Sequence, residues 1–312
     1  MNTLICGSLA YDSIMVFPDR FKNHILPEQI HILNVAFLVP EMRREFGGCA
    51  GNIAYNLKLL NGKPLIMAAV GDDFEPYAKR LEGLGLAQTH VHRAAGSYTA
   101  QAFITTDMDD NQITAFHPGA MSFSHHNHVQ DASNVALGII APDGRDGMIQ
   151  HAHEFHEKGV PFVFDPGQGL PMFNGEELMS FVDLADYVAL NDYEAKLLQE
   201  RTGKSLEQLA RHVRALIVTM GSKGSQIYSD GKVLEIPCVK AEQLVDPTGC
   251  GDAYRGGLLY GIVNGMDWET TGRLASLMGA LKIVSRGGQN HAHTRDEIFG
   301  RFRELFGTDL AA

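Results

Sequence analysis

The chain has 312 residues, more than one hydrophobic core usually serves, so a large domain with a smaller appendage is expected. Hydrophobic residues at 45% and charged residues at 20% exclude a disordered chain, and a formal charge of −11 leaves no concentrated basic face for nucleic acid. Anionic ligands must then be held by local devices such as helix N-termini and metal ions.

Residues 3–9 are apolar and end in Gly7-Ser8, the pattern of a buried strand feeding a loop. The N-terminus carries no basic leader and the chain no apolar run of membrane-spanning length, which reads as a cytoplasmic protein without a membrane partner. The cysteines Cys6, Cys49, Cys238 and Cys250 form no CxxC pair and read as reduced thiols. Residues 14–45 mix Phe, Val, Ile and Leu with Pro18, Pro27 and Pro40, lack a helical period, and read as short strands outside the main core.

Gly47-Gly48-Cys49-Ala50-Gly51-Asn52 opens a helix that Asn61-Gly62 stops. A buried strand over 65–70 leads to Gly71-Asp72-Asp73 and a helix ending near Gly83 and Gly85. Residues 98–117 alternate around Asp109-Asp110-Asn111 as a hairpin, which pairs with 14–45 into a small β lid. From residue 134 strands and helices alternate: 135–141, 145–158, 161–165, 175–183, 187–191, 192–202 and 216–220. That series predicts an α/β fold, a mainly parallel sheet flanked by helices on both faces, with ligands outside the carboxyl ends of its strands. The large α/β nucleotide-binding and catalytic domain is expected to comprise 1–13, 46–96 and 121–312, and the lid 14–45 and 97–120.

Asp246-Pro247-Thr248-Gly249-Cys250-Gly251-Asp252 lies between a strand-like segment and a helical run. Small residues let the amides of Gly249, Cys250 and Gly251 approach a phosphate, and the helix start adds a positive dipole end. Asp252 beside them is placed to take a proton from an attacking hydroxyl, whereas alone it would read as an N-cap. Cys250 reads as a small residue that fits the turn rather than a nucleophile. No GxxxxGK[ST] occurs, and no GxGxxG follows the first strand, so neither a P-loop enzyme nor a nicotinamide dehydrogenase is supported. Asn191 and Glu194 form an NxxE pair that reads equally as a capping box. The clusters His125-His126-Asn127-His128 and His151-Ala152-His153 with His156 lack HExxH spacing and read as solvated surface.

The glycine-opened helix with Gly71-Asp72-Asp73, and Asp246 through Gly257, resemble the two signatures of the PfkB, ribokinase-like carbohydrate and nucleoside kinases. The segments Gly7-Ser8 to Asp12, Phe17 to Phe21, and Phe116 to Met121 are most similar to bacterial adenosine-kinase-type nucleoside kinases.

The resemblance implies ATP as co-substrate and a purine nucleoside phosphorylated on its ribose 5′-hydroxyl. It places Ser8, Asp12, Gly48 and Asn52 at the sugar, and Phe103, Phe116 and Gln168 at the base. Asn191, Thr219, Gly221, Gly224 and Gln289 fall along ATP. Glu194 is implied to hold Mg²⁺ through water, and Asp246 and Thr248 a potassium ion. A sugar or sugar-phosphate kinase is the alternative within the fold, with Arg20, Lys22, Arg43 and Arg44 as the available cations. A non-catalytic nucleoside-binding module is a second alternative, and it would need neither Asp252 nor Glu194. The open lid edges leave a monomer or a lid-mediated homodimer as expectations.

Overall fold

The computed structural model describes residues 1–25, 34–109 and 111–310. Part of the expected lid segment, including Pro27, and Asp110 of the expected hairpin turn lie outside these residues. The large sheet has nine strands, in the order β13-β12-β11-β10-β9-β8-β1-β4-β5. Its parallel part consists of β1 (Asn2–Cys6), β4 (Pro64–Val70), β5 (His90–Arg93), β8 (Val135–Ile140), β9 (Phe162–Phe164), β10 (Tyr187–Asn191) and β11 (Ala215–Thr219). The strands β12 (Ser225–Ser229) and β13 (Lys232–Ile236) continue it antiparallel at one edge.

Two cores follow from the two-residue period of the strands, which sends successive side chains to opposite faces. Ile5 and Ala189 point into one core, with the helices α1 (Cys49–Leu59), α2 (Glu75–Gly83), α7 (Cys250–Val263), α8 (Trp268–Lys282) and α9 (Arg295–Phe306). Leu4, Cys6, Val188 and Leu190 point into the other, with α3 (Arg145–Lys158), α4 (Gly175–Leu184) and α5 (Asp192–Thr202). The short α6 (Leu206–Leu209) buries Leu209 there as well. Both faces are thus covered by helices, as the βαβ reading predicts, with the edge pair β12–β13 and the short β5 added to it.

A separate four-stranded sheet has the order β3-β2-β6-β7, built from β2 (Ala10–Val16), β3 (Glu41–Gly47), β6 (Ala100–Thr106) and β7 (Gln112–His117). Strands β2 and β6 run parallel while the outer pairs run antiparallel. Asp12 lies inside β2, not at the end of the first strand of the large sheet. The small sheet therefore begins at Ala10 and carries Asp12 itself.

Candidate active site

The carboxyl ends of adjacent parallel strands collect the chemistry. After β1 come Gly7 and Ser8, after β9 comes Asp165, and Asn191 and Thr219 are register partners at the ends of β10 and β11. Helix α7 starts above this row, and Asp252 is its third residue.

Gly249 caps α7 at φ 77°, a left-handed conformation that glycine adopts without steric cost. Of the first helical amides, Cys250 donates to the Pro247 carbonyl and Ala253 to that of Gly249. Those of Gly251 and Asp252 have no helical acceptor, and a side chain at exposed Gly251 would meet nothing within 4 Å. Among the described residues these two donors are left without a backbone partner at the positive end of the helix.

Asp252 is half-buried and accepts a 2.8 Å hydrogen bond from Asn52 Nδ2 on α1. Desolvation pushes its carboxyl up to about 7; Asp165 and Asp12 add to the push, while Asn52 and Arg255 oppose it. A carboxylate with that basicity is matched to accepting a proton near neutral pH. Burial pushes the Cys250 thiol up to about 11, so it stays protonated, as expected of a residue that only fits the turn.

Asp12 is also half-buried; burial pushes it up to about 6, with Asp246 and Glu45 adding repulsion. Strand register puts Asp12 opposite Glu45 and Ala102, and Ala102 opposite Phe116, so these four share one face of the small sheet. Phe103 sits opposite Ser13 and Ala115 and points to the other face. The two phenylalanines expected at one base therefore cannot both reach it from this sheet. Phe116 is on the Asp12 side and half exposed, while Gln168 is exposed in a 3-10 turn after β9.

Gly48 has φ 84°, and a side chain on it would come within 2.6 Å of the Ala10 amide nitrogen. Its glycine is required by the crossing of two backbone segments, independent of any ligand. Ser8 is buried and its hydroxyl accepts from the Cys49 amide at 3.2 Å.

Asn191 and Glu194 complete a capping box at α5: each side chain accepts from the other residue's amide at 2.8 Å, and Asn191 Nδ2 donates to Glu194 Oε1. Glu194 is buried, and burial raises its carboxyl, with Asp165 adding repulsion. Each carboxylate oxygen still has a lone pair to offer. A hydrated Mg²⁺ fits there, because it takes few protein ligands and would relieve the Asp165–Glu194 repulsion. Among the described residues no cluster of three His, Cys, Asp or Glu forms a dedicated metal cage.

Thr219 spends its hydroxyl on the Leu190 carbonyl at 3.2 Å. Gly221 opens an exposed 3-10 turn with free space around it, while Gly224 is buried beneath β13. Gln289 departs from its expected place along ATP: it is buried, and its Nε2 donates to Asn52 Oδ1 at 3.1 Å and Tyr77 Oη at 2.6 Å. Its amide is part of the support beneath Asn52. His151 likewise departs from the expected solvated surface, being buried with Nε2 3.0 Å from the Asn127 carbonyl, whereas His128 pairs with Glu154 at 2.7 Å.

Sequence reasoning missed Arg255, which lies one turn into α7 and grips Asp165 bidentately at 2.9 and 3.1 Å. Both side chains are buried, so the pair ties α7 to the end of β9 directly below Asp252. An arginine inside the apolar run that follows the turn was the signal. Tyr77 was missed as well; its hydroxyl donates to the Gly47 carbonyl at 2.8 Å.

Residues 9–295 match the model of the pfkB family of carbohydrate kinases. A nucleoside kinase of Methanocaldococcus jannaschii is 31% identical over 274 residues, 87% of this chain and 90% of the relative. The structure of Burkholderia thailandensis nucleoside kinase in complex with inosine superimposes with a TM-score of 0.91 at 55% identity, covering 98% of this chain and 99% of that one. A second structure of that kinase, in complex with ADP-inosine, gives a TM-score of 0.88 at 56% identity, over 98% and 97% of the two chains.

Proposed function

Because the chain belongs to the pfkB family of carbohydrate kinases, we propose that it is an ATP-dependent kinase that phosphorylates the ribose 5′-hydroxyl of purine nucleosides. The observation that carries this reading is Asp252, poised at about 7 and held by Asn52 beside the two free amides of α7.

Asp12 offers the ribose a carboxylate that no described side chain or amide hydrogen-bonds, so both oxygens are open to a vicinal diol. With the sugar so anchored, Asp252 takes the proton from the 5′-hydroxyl as its oxygen attacks the γ-phosphorus and ADP leaves. The Gly251 and Asp252 amides meet the charge on the transferring group, aided by the helix dipole. Glu194 would hold Mg²⁺ through water, and the ion would supply positive charge against the phosphates. Phe116, on the Asp12 face, gives a flat apolar surface for a purine. The inosine and ADP-inosine complexes of the Burkholderia kinase support a purine nucleoside; adenosine, inosine and guanosine are the substrates this reading proposes.

A phosphorylated sugar finds little support, because its cationic partners are already engaged. Arg20 and Lys22 pair with Asp109, Arg43 lies 3.4 Å from Glu45, and Arg44 lies 3.6 Å over the Tyr11 ring and near Asp73. An ADP-release assay over purine and pyrimidine nucleosides, ribose and fructose 6-phosphate tests the reading. Purine nucleosides should give the highest kcat/KM, and preference for ribose or fructose 6-phosphate would replace the proposal by the sugar kinase alternative.

A further inference from the structure

The potassium ion implied at Asp246 and Thr248 does not fit the residues found there. Asp246 Oδ1 accepts the Thr248 amide at 2.9 Å and Oδ2 the Gly287 amide at 2.8 Å. Its carbonyl accepts a 2.7 Å hydrogen bond from Lys282 Nζ, which also donates to the Ser285 carbonyl at 3.1 Å. Lys282 is the last residue of α8 and is wholly buried. Among the described residues no carboxylate forms a salt bridge with it.

A buried lysine without an ion-pair partner is rare, since its charge loses hydration. Here the charge rests on main-chain carbonyl oxygens, the donor set that a dehydrated monovalent cation takes. The ammonium also joins the two ends of one frame. Asp246 begins the anion turn and Ser285 belongs to the segment behind it, where the Val245 and Asp246 amides both donate to the Ile283 carbonyl. Gly288 of that segment packs against Gly249, so its position fixes the turn whose amides open at α7. A second cation on Asp246 would meet like charge within a few ångströms.

We propose that the Lys282 ammonium is a built-in monovalent cation for the anion turn, standing in place of a potassium ion and making phosphoryl transfer independent of alkali cations. It is a positioning residue, acting on the turn through the carbonyls of Asp246 and Ser285. The proposal deepens the kinase reading and rests on it for the rate measurements alone.

The full chain and Lys282→Met are compared in a bulky organic buffer cation and in potassium or ammonium chloride at equal ionic strength. Parent turnover should differ less than about twofold between K⁺ and the organic cation, and its melting temperature should not respond to K⁺. The variant should lose about tenfold or more in kcat without K⁺, as expected when a catalytic frame is misplaced. K⁺ or ammonium should restore much of that loss and raise the variant's melting temperature by about 2 °C or more, since the ion would bind only the folded state.

Parent activation by K⁺ of about tenfold or more overturns the proposal. So does a slow, folded variant that neither K⁺ nor ammonium rescues in rate or stability, or a variant with parental turnover in the organic cation. If Lys282→Met does not fold, the parent's K⁺ response decides. If the parent has no kinase activity, the kinase reading fails on its own, and the melting-temperature arm still tests Lys282.

Discussion

Asn52 on α1 and Asp252 on α7 are 200 positions apart and joined by a 2.8 Å hydrogen bond in which the amide donates to the carboxylate. The bond favours the ionised form of Asp252 and opposes the desolvation that lifts it. Asn52 thus lowers the pH at which the base is ready, against the larger upward push of burial.

Asn52→Leu should therefore shift the acidic limb of the kcat/KM profile to higher pH. In the parent, activity falls as pH drops through about 7, because a base must be deprotonated to act. Without the Asn52 donor the Asp252 carboxyl rises further and the loss begins at higher pH. A limb that stays in place would separate Asn52 from the base.

Asp252→Asn should be more stable than the parent above neutral pH. The Asp252 carboxyl titrates at 3.8 in its reference state and at about 7 in the fold, so between these values the folded chain holds a proton that the unfolded chain has released. Its contribution to stability is lost as pH rises through about 7. The neutral isostere escapes that loss. Its melting-temperature advantage should be near zero at pH 4 and grow to ~2 °C above pH 7, on the order of 1 kcal/mol. An advantage independent of pH would contradict the raised carboxyl.

Phe116→Ala should raise the nucleoside KM by about tenfold, the loss of one aromatic face against a base. Phe103→Ala should leave KM within about twofold, because Phe103 points away from Asp12. Equal effects on nucleoside KM would mean that the lid register, or the face assigned to the base, is wrong.

Arg255→Met should cost about 3–5 kcal/mol in urea unfolding, because it leaves Asp165 buried without its partner. Adding Asp165→Asn should recover much of this, as the stranded charge disappears. A double variant no better than the single one would show that the pair acts mainly through packing.

What could be read from the chain was what lies within a few residues. Asp246 through Asp252 carries its glycine, its helix start and its acid in one stretch, and the Asn191–Glu194 capping box spans a single turn. The alternation of strand and helix after residue 134 likewise rests on local periodicity. Contacts between distant segments were not legible. The Asp165–Arg255 grip spans 90 positions and the Gln289–Asn52 bond 237.

No local pattern encodes either contact, and the family resemblance placed Gln289 along ATP when its amide supports Asn52. The face of Phe103 depends on lid register, which period-two alternation in a single strand does not set. The strand His90–Arg93 was missed because its two histidines and partial exposure give no apolar run. Gly48 read as a ligand contact, yet the chain's own backbone crossing demands it.

The role of Asp252 as the base is decided by the kcat of Asp252→Asn with inosine and ATP, measured alongside nucleoside binding by calorimetry. Loss of the base should leave binding within a fewfold of the parent and lower kcat by about 10²–10⁴. Turnover within a fewfold of the parent, with binding intact, would show that Asp252 is not the base.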